Sequence, residues 1–292
     1  MSRMVTDTGH IHLARMKIEI DKFDITSISC DKSIVLVGKR DTGKSFLVRD
    51  LLYYQRNTPM GVVISPTESA NNQYTPIIPH MFIHEEYHPD TVGRFVERQK
   101  VVTRKIRKQK KLYGSSNIDP RAFLILDDCL YDSKAWSRDK NIRLMFLNGR
   151  HYKTLFLITM QYPLGVPPDL RSNIDYAFIL RENNIGNRKR LYDNFAGMIP
   201  TFDLFCVIMD QCTENYECLV INVNAKSNRL TDQLFWYKAE PHPEYKMCDP
   251  NYWAMCDDEN GSDDSCEEEM LDLTSIRKNK NMPRINVVKK TA

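Results

Sequence analysis

The residues Gly38-Lys39-Arg40-Asp41-Thr42-Gly43-Lys44-Ser45 follow the pattern G-x-x-x-x-G-K-[ST] in full. Glycines at that spacing let the backbone turn so that successive N–H groups converge on a polyphosphate. A helix opening at Lys44 adds the positive end of its dipole. Lys44 is then placed to reach the β- and γ-phosphates of ATP, and the Ser45 hydroxyl to ligate Mg2+. The expected ATP-binding set is Gly38, Lys39, Arg40, Asp41, Thr42, Gly43, Lys44, Ser45 and Phe46. The bland reading is a glycine-containing turn with a chance lysine. A strand-like run before the motif and a helical pattern after it argue against that.

Two further segments end in groups that such a site needs. In Phe123-Leu124-Ile125-Leu126-Asp127-Asp128, four apolar residues deliver paired carboxylates to a strand end. Asp127 is expected to hold Mg2+, and Asp128 to polarise the attacking water. In Thr154–Gln161 a second apolar run ends in an amide that could orient water or sense the γ-phosphate with donors and an acceptor. An ordinary loop amide is the alternative for Gln161.

These groups must be positioned by alternating elements. The runs Ser33–Val37, Gly61–Ser65, Phe123–Asp127, Thr154–Thr159 and Asp175–Leu180 are short and apolar at successive positions, as parallel strands covered on both faces should be. Helical patterns lie between them at Lys44–Gln55, Val92–Lys111, Asp139–Tyr152 and Asn187–Phe195. The fold class is therefore α/β, a mostly parallel central sheet flanked by helices. Leu204–Met209 and Tyr216–Asn222 read as an antiparallel hairpin added at a sheet edge.

The 292 residues carry 41 basic and 38 acidic side chains, net +3, with 42% hydrophobic residues, enough for a sizeable core and against a disordered or fibrous chain. The longest apolar run, Leu155–Met160, is strand-sized, so no membrane span is expected, and Met1–His12 lacks the shape of a secretory signal. None of the eight cysteines forms a C-x-x-C pair, which favours buried thiols in a reducing compartment over a zinc ribbon or disulfide framework.

Together, Gly38–Ser45, Asp127-Asp128, Asn148-Gly149-Arg150-His151-Tyr152 and the strand-end Gln161 resemble the FtsK–HerA superfamily, and more closely the genome-packaging ATPases of large nucleocytoplasmic DNA viruses. The resemblance runs from Asp31 to Asn222. It implies a RecA-like (ASCE) P-loop fold with core strand order 5-1-4-3-2, the Gln161 strand lying between the P-loop and Asp127 strands. It also implies a homo-oligomeric ring, pentamer or hexamer, with ATP sites at subunit interfaces, driving double-stranded DNA into a capsid in concert with capsid or portal components. The implied location is the host cytoplasm at the viral factory, with virion association. Many such relatives carry Glu where this chain has Asp128. Rings of this kind need an arginine donated by the neighbouring subunit. Arg150, inside the family segment, is preferred over Arg181, and a surface salt bridge is the bland reading of either. The readings weighed against translocation are a nucleotide-regulated assembly or DNA-binding ATPase and, more remotely, a zinc metalloprotease.

The organisation expected is an extension over residues 1–30, an ATPase core over 31–222, a C-terminal extension over 223–256 packing on that core, and a charged, solvated tail over 257–292. That tail holds nine acids followed by six bases, leaving +6 on the body. Tyr237–Trp253, with its aromatics and prolines, reads as an extended segment crossing the core. Arg98, Lys100, Arg104, Lys105, Arg107 and Lys108 open a basic run without acids through Lys111, on a pattern whose Val92, Phe95, Val96, Val102 and Ile106 recur at helical spacing. They are DNA-phosphate candidates, with a solvated helix face as the alternative. His84-Glu85-Glu86-Tyr87-His88 matches H-E-x-x-H, but Pro89 disfavours α conformation at His88, and Asp90 reads as the N-cap of the next helix. A loop is the preferred reading.

Overall fold

The computed structural model describes residues 18–129, 133–162 and 165–261. Its strands are β1 (Asp21–Lys22), β2 (Ser33–Val37), β3 (Gly61–Ile64), β4 (Ile83–His84), β5 (Ala122–Asp127), β6 (Thr154–Met160), β7 (Tyr176–Ile179), β8 (Glu217–Asn222) and β9 (Leu234–Lys238). Helices α1 (Lys44–Tyr54), α2 (Glu68–Asn71), α3 (Pro89–Tyr113), α4 (Ser133–Arg138), α5 (Lys140–Asn148), α6 (Pro168–Arg171), α7 (Ile185–Phe195), α8 (Phe202–Cys212), α9 (Leu230–Gln233) and α10 (Pro250–Gly261) fill the connections.

One sheet runs in the order β1-β9-β8-β7-β2-β6-β5-β3-β4. Its centre, β7-β2-β6-β5-β3, is parallel throughout and has the 5-1-4-3-2 order, with β6 between β2 and β5. Every residue of these five strands is buried, which is why each reads as a continuous apolar run. Alternate side chains feed two cores. Val35, Leu124, Leu126 and Ile158 meet Val92 and Phe95 of α3 and Met145 and Phe146 of α5 on one face. Ile34, Leu36, Ile125 and Leu157 meet Leu47, Val48, Leu51 and Leu52 of α1 on the other. This is a RecA-like α/β fold.

The antiparallel addition differs in its parts from the expected hairpin. Leu204–Met209 lies in α8, where Phe205, Ile208, Met209 and Cys212 turn inward at helical spacing and Thr201 caps the amide of Leu204. The antiparallel strands are β8 and β9, with β8 also pairing β7. β9 pairs β1 in parallel, so segments near both ends of the described chain close that sheet edge.

Beyond β9 the chain returns along α1. The fully buried Asp50 carboxylate accepts from the Tyr237 hydroxyl at 2.7 Å and from His242 Nε2 at 2.5 Å, and the His242 ring stacks on Tyr53 at 3.8 Å. The extended segment expected over Tyr237–Trp253 is shorter, because Tyr237 still belongs to β9 and Pro250–Trp253 open α10; between them the chain carries His242 and Tyr245 against the helix that follows the glycine-rich loop. Helix α10 continues to Gly261, past the boundary expected at 256; residues 262–292, most of the charged tail, lie outside the described residues. Among the described residues no helix is long and apolar enough to cross a membrane. All seven described cysteines are free, with Cys129, Cys212, Cys218 and Cys256 buried; burial pushes the Cys212 thiol up to about 11.

Candidate nucleotide site

The loop Gly38–Gly43 leaves β2 at its C-terminal end and enters α1 at Lys44. Gly43 has φ +92° and Asp41 φ +61°, so the chain turns sharply twice in three residues. Gly38 is required by close approach, since a Cβ there would lie 2.7 Å from Thr42 Oγ1 and 2.8 Å from Leu180 Cδ1. Thr42 Oγ1 donates to the Lys39 carbonyl at 2.8 Å and closes the turn. Among the described residues, no backbone acceptor takes the amides of Lys39 to Gly43. A concave loop of unclaimed N–H groups at a helix N-terminus is a cradle for anionic oxygens. Ser45 and Phe46 follow in the first turn of α1, both exposed.

The register of three adjacent strands assembles the other groups. Val37 pairs Met160 and Asp127 pairs Thr159, so Gly38, Gln161 and Asp128 come off neighbouring strand ends. Lys44 Nζ lies 3.1 Å from Asp128 Oδ1, and Gln161 Nε2 donates to Asp128 Oδ2 at 2.6 Å. Asp128 sits at φ +54°, a left-handed conformation that aspartate tolerates better than most residues, and its amide donates to Thr159 Oγ1 at 3.0 Å. The Thr159 hydroxyl in turn donates to Asp127 Oδ1, and Ser65 Oγ donates to Asp127 Oδ2 at 3.4 Å. One threonine therefore fixes both aspartates.

Asp127 is only 6% exposed. Burial raises its pKa, against the opposing pull of the Thr159 hydrogen bond, the Lys44 charge and the nearby Tyr74 phenol. The fully buried Tyr74 hydroxyl approaches Asp127 without a hydrogen bond of good geometry. A desolvated carboxylate beside hydroxyl oxygens and an unsatisfied phenol is a hard-oxygen donor set, which suits Mg2+.

Thr159, Ser65 and Glu182 are the site residues that sequence reasoning missed. Glu182, 5% exposed, holds Lys39 Nζ at 2.6 Å and accepts from the Asn184 amide at 2.7 Å and from Asn187 at 3.0 Å. Burial acts to raise the Glu182 pKa, but those donors and the Lys39 charge outweigh it and the net shift is downward. The signal available was a polar residue interrupting or ending an apolar run at Ser65, Thr159 and Glu182.

The two candidate arginines lie at opposite ends of the sheet. Arg150, exposed in the 3-10 turn Gly149–Tyr152, precedes β6 and sits a strand's length from the Gln161 end. Arg181 follows β7 and lines a cavity beside Lys39–Thr42 of its own loop.

Helix α3 buries Thr91, Val92, Phe95, Val96 and Gln99, while Val102 and Ile106 are only half-buried. Gln99 donates to the carbonyls of Pro120 at 2.9 Å and Tyr152 at 2.7 Å, tying the helix to the Arg150 turn. Arg104, Lys105, Arg107 and Lys108 are exposed, and Arg98 and Lys100 half-buried. Glu97, just ahead of the basic run, pairs Lys100 at 3.5 Å and Arg104 at 3.0 Å. The N-cap of α3 is His88 rather than Asp90: Pro89 takes the first helical position, where its missing N–H costs nothing, and Asp90 falls in the first turn. His84 pairs in β4 and His88 precedes α3, so the two do not share a helix face and the H-E-x-x-H zinc arrangement is not formed.

No family profile matches the chain. Uncharacterized protein L437 of Acanthamoeba polyphaga mimivirus is 42% identical over 223 residues, 76% of this chain and 78% of that protein. Uncharacterized protein 088R of Invertebrate iridescent virus 3 is 41% identical over 207 residues, 70% of this chain and 75% of that protein. Among solved structures, the genome packaging NTPase B204 of Sulfolobus turreted icosahedral virus 2 with AMP gives TM-score 0.46 at 13% identity, covering 73% of this chain and 100% of that one. EssC ATPases 2 and 3 of Geobacillus thermodenitrificans give TM-score 0.49 at 14% identity, covering 80% and 43%. The chain, with its glycine-rich loop, paired aspartates and strand order, belongs to the large-DNA-virus family that includes L437 and 088R.

Proposed function

We infer that the chain hydrolyses ATP with Mg2+ and couples this to movement of viral double-stranded DNA into the capsid. The observation that carries the reading is the chain of interactions Lys44–Asp128–Gln161 at adjoining strand ends, beside a glycine-rich loop whose amides, among the described residues, have no backbone acceptor. Ser45 and Asp127 would hold the Mg2+, which shields charge on the β- and γ-phosphate oxygens. Lys44 leaves Asp128 for the phosphates, and the freed carboxylate orients water with Gln161. Arg150, remote from its own loop, serves the adjoining subunit of a pentameric or hexameric ring. Exposed bases of α3 meet DNA phosphates without reading sequence. Capsid or portal components are the docking partners, and the viral factory of the host cytoplasm the place of action.

The pairing of Lys100 and Arg104 with Glu97 weakens the basic face and favours the assembly branch of a second reading, a nucleotide-regulated assembly or DNA-binding ATPase without translocation. Phosphate release measured with and without duplex DNA, together with the mass of the assembly, tests the first. DNA-stimulated turnover abolished by Lys44→Ala, with strand displacement by the wild type, supports translocation. Turnover indifferent to DNA and no displacement supports the second reading; turnover unchanged in Lys44→Ala overturns both.

A further inference from the structure

Between α8 and β8 the chain reverses in a turn closed by the Glu217 amide on the Glu214 carbonyl at 2.9 Å. Both central residues are left-handed, Asn215 at φ +51° and Tyr216 at φ +64°. Such a turn favours Asn then Gly, and a bulky aromatic at the second position carries strain there. Burial does not repay it, because Tyr216 is 69% exposed. The ring lies over Gly43, so that a Cβ on Gly43 would meet Tyr216 Cδ1 at 3.4 Å. Backbone strain spent on holding an exposed ring against a phosphate-binding loop points to a ligand.

The topology says which part of the ligand. Lys44, Asp128 and Gln161 gather where β2 meets β6 and β5, which fixes the terminal-phosphate end. A cavity of about 400 Å³ opens on the other side of the loop, where β7 and β8 lie, lined by Lys39, Thr42, Arg181, Asn183, Glu214 and Tyr216. A nucleotide anchored by its γ-phosphate at Lys44 extends its ribose and base in that direction. We propose that Tyr216 is the stacking platform for the nucleobase. Asn183 and Glu214 offer donors and an acceptor to the ring edge, and Arg181 a guanidinium plane or a ribose contact. This rests on the ATP-binding reading and adds the base-recognising residue to it.

Calorimetric titration of the full chain with ATP and, separately, with inorganic tripolyphosphate isolates the base from the phosphates. Stacking of this kind is worth about 1–3 kcal/mol per base, so Tyr216→Ala should weaken ATP by about tenfold or more and leave tripolyphosphate unchanged. Tyr216→Phe should restore ATP affinity. Tyr216→Gly removes the ring while relieving the positive φ, so its thermal midpoint should equal or exceed that of the wild type while ATP binding falls as in Tyr216→Ala. Equal losses for ATP and tripolyphosphate, or no loss for either, overturn the assignment. Wild-type protein that binds neither ligand would instead overturn the ATP-binding reading on which it rests.

Discussion

The Lys44 ammonium and the Asp128 carboxylate form an ion pair at 3.1 Å at the point where a terminal phosphate would enter. The lysine that should bind ATP and the carboxylate that should activate water hold each other directly. Asp128→Asn should therefore raise ATP affinity severalfold, since Lys44 no longer exchanges one anion for another. The same change should lower turnover by roughly 10²-fold or more, the scale of a lost general base. Titration calorimetry and phosphate release on the same preparation separate the two effects. A parallel fall in affinity and turnover would mean that Asp128 serves binding rather than water.

Arg150 cannot assist its own loop from the far end of β6. Arg150→Ala should preserve ATP affinity and cut turnover by about 10³-fold in the assembled protein. Mixing it with Lys44→Ala subunits creates interfaces where an intact loop faces an intact arginine, and activity should partly return. Mixed assemblies as inactive as their parents would remove the trans role from Arg150; Arg181, beside its own loop, could then act only in cis.

The raised pKa of Asp127 is also a statement about stability. A buried acid with an elevated folded pKa adds its full stability only below the ordinary carboxylate range and loses it as pH rises through the elevated value. Above that elevated value the nucleotide-free protein carries a costly buried anion. Asp127→Asn should thus be more stable than the wild type at pH 7, by about 1 kcal/mol, a shift of a few degrees in Tm. The advantage should shrink as the pH is lowered toward the ordinary carboxylate range. Thermal melts across that range check the sign; a variant less stable at neutral pH would contradict it.

If α3 contacts DNA phosphates, the combined change of Lys105, Arg107 and Lys108 to Gln should weaken duplex binding equally for unrelated sequences. The slope of log affinity against log salt should decrease by up to ~3, about 0.9 for each phosphate no longer neutralised. Fluorescence anisotropy over a salt series measures it. An unchanged slope would return α3 to the role of a solvated face.

The sequence made the central strands legible because burial on both faces leaves no polar alternation to confuse them. The same continuity misled at Leu204–Met209, where a buried helix shows the same apolar run. The Thr201 cap and the spacing of Phe205, Ile208, Met209 and Cys212 were the signals that separate helix from strand. Lys44, Asp127 and Asp128 stood out because their chemistry is local to a motif. Thr159 and Ser65 did not, because what they do follows from strands coming together across long sequence separations. Glu182 was hidden for a similar reason, since its partner Lys39 lies 143 positions earlier.

Strand β6 begins just after the Arg150 turn and ends just before Gln161. Its seven residues span about 20 Å and are hydrogen-bonded to β2 on one side and β5 on the other, so it behaves as a stiff rod. The Gln161 end and the Arg150 turn are thus joined by one continuous strand that is paired on both sides, with no loop between them. If Arg150 does serve a neighbouring subunit, the length of β6 is the distance over which the nucleotide pocket of one subunit and the surface it offers to the next are held in fixed register.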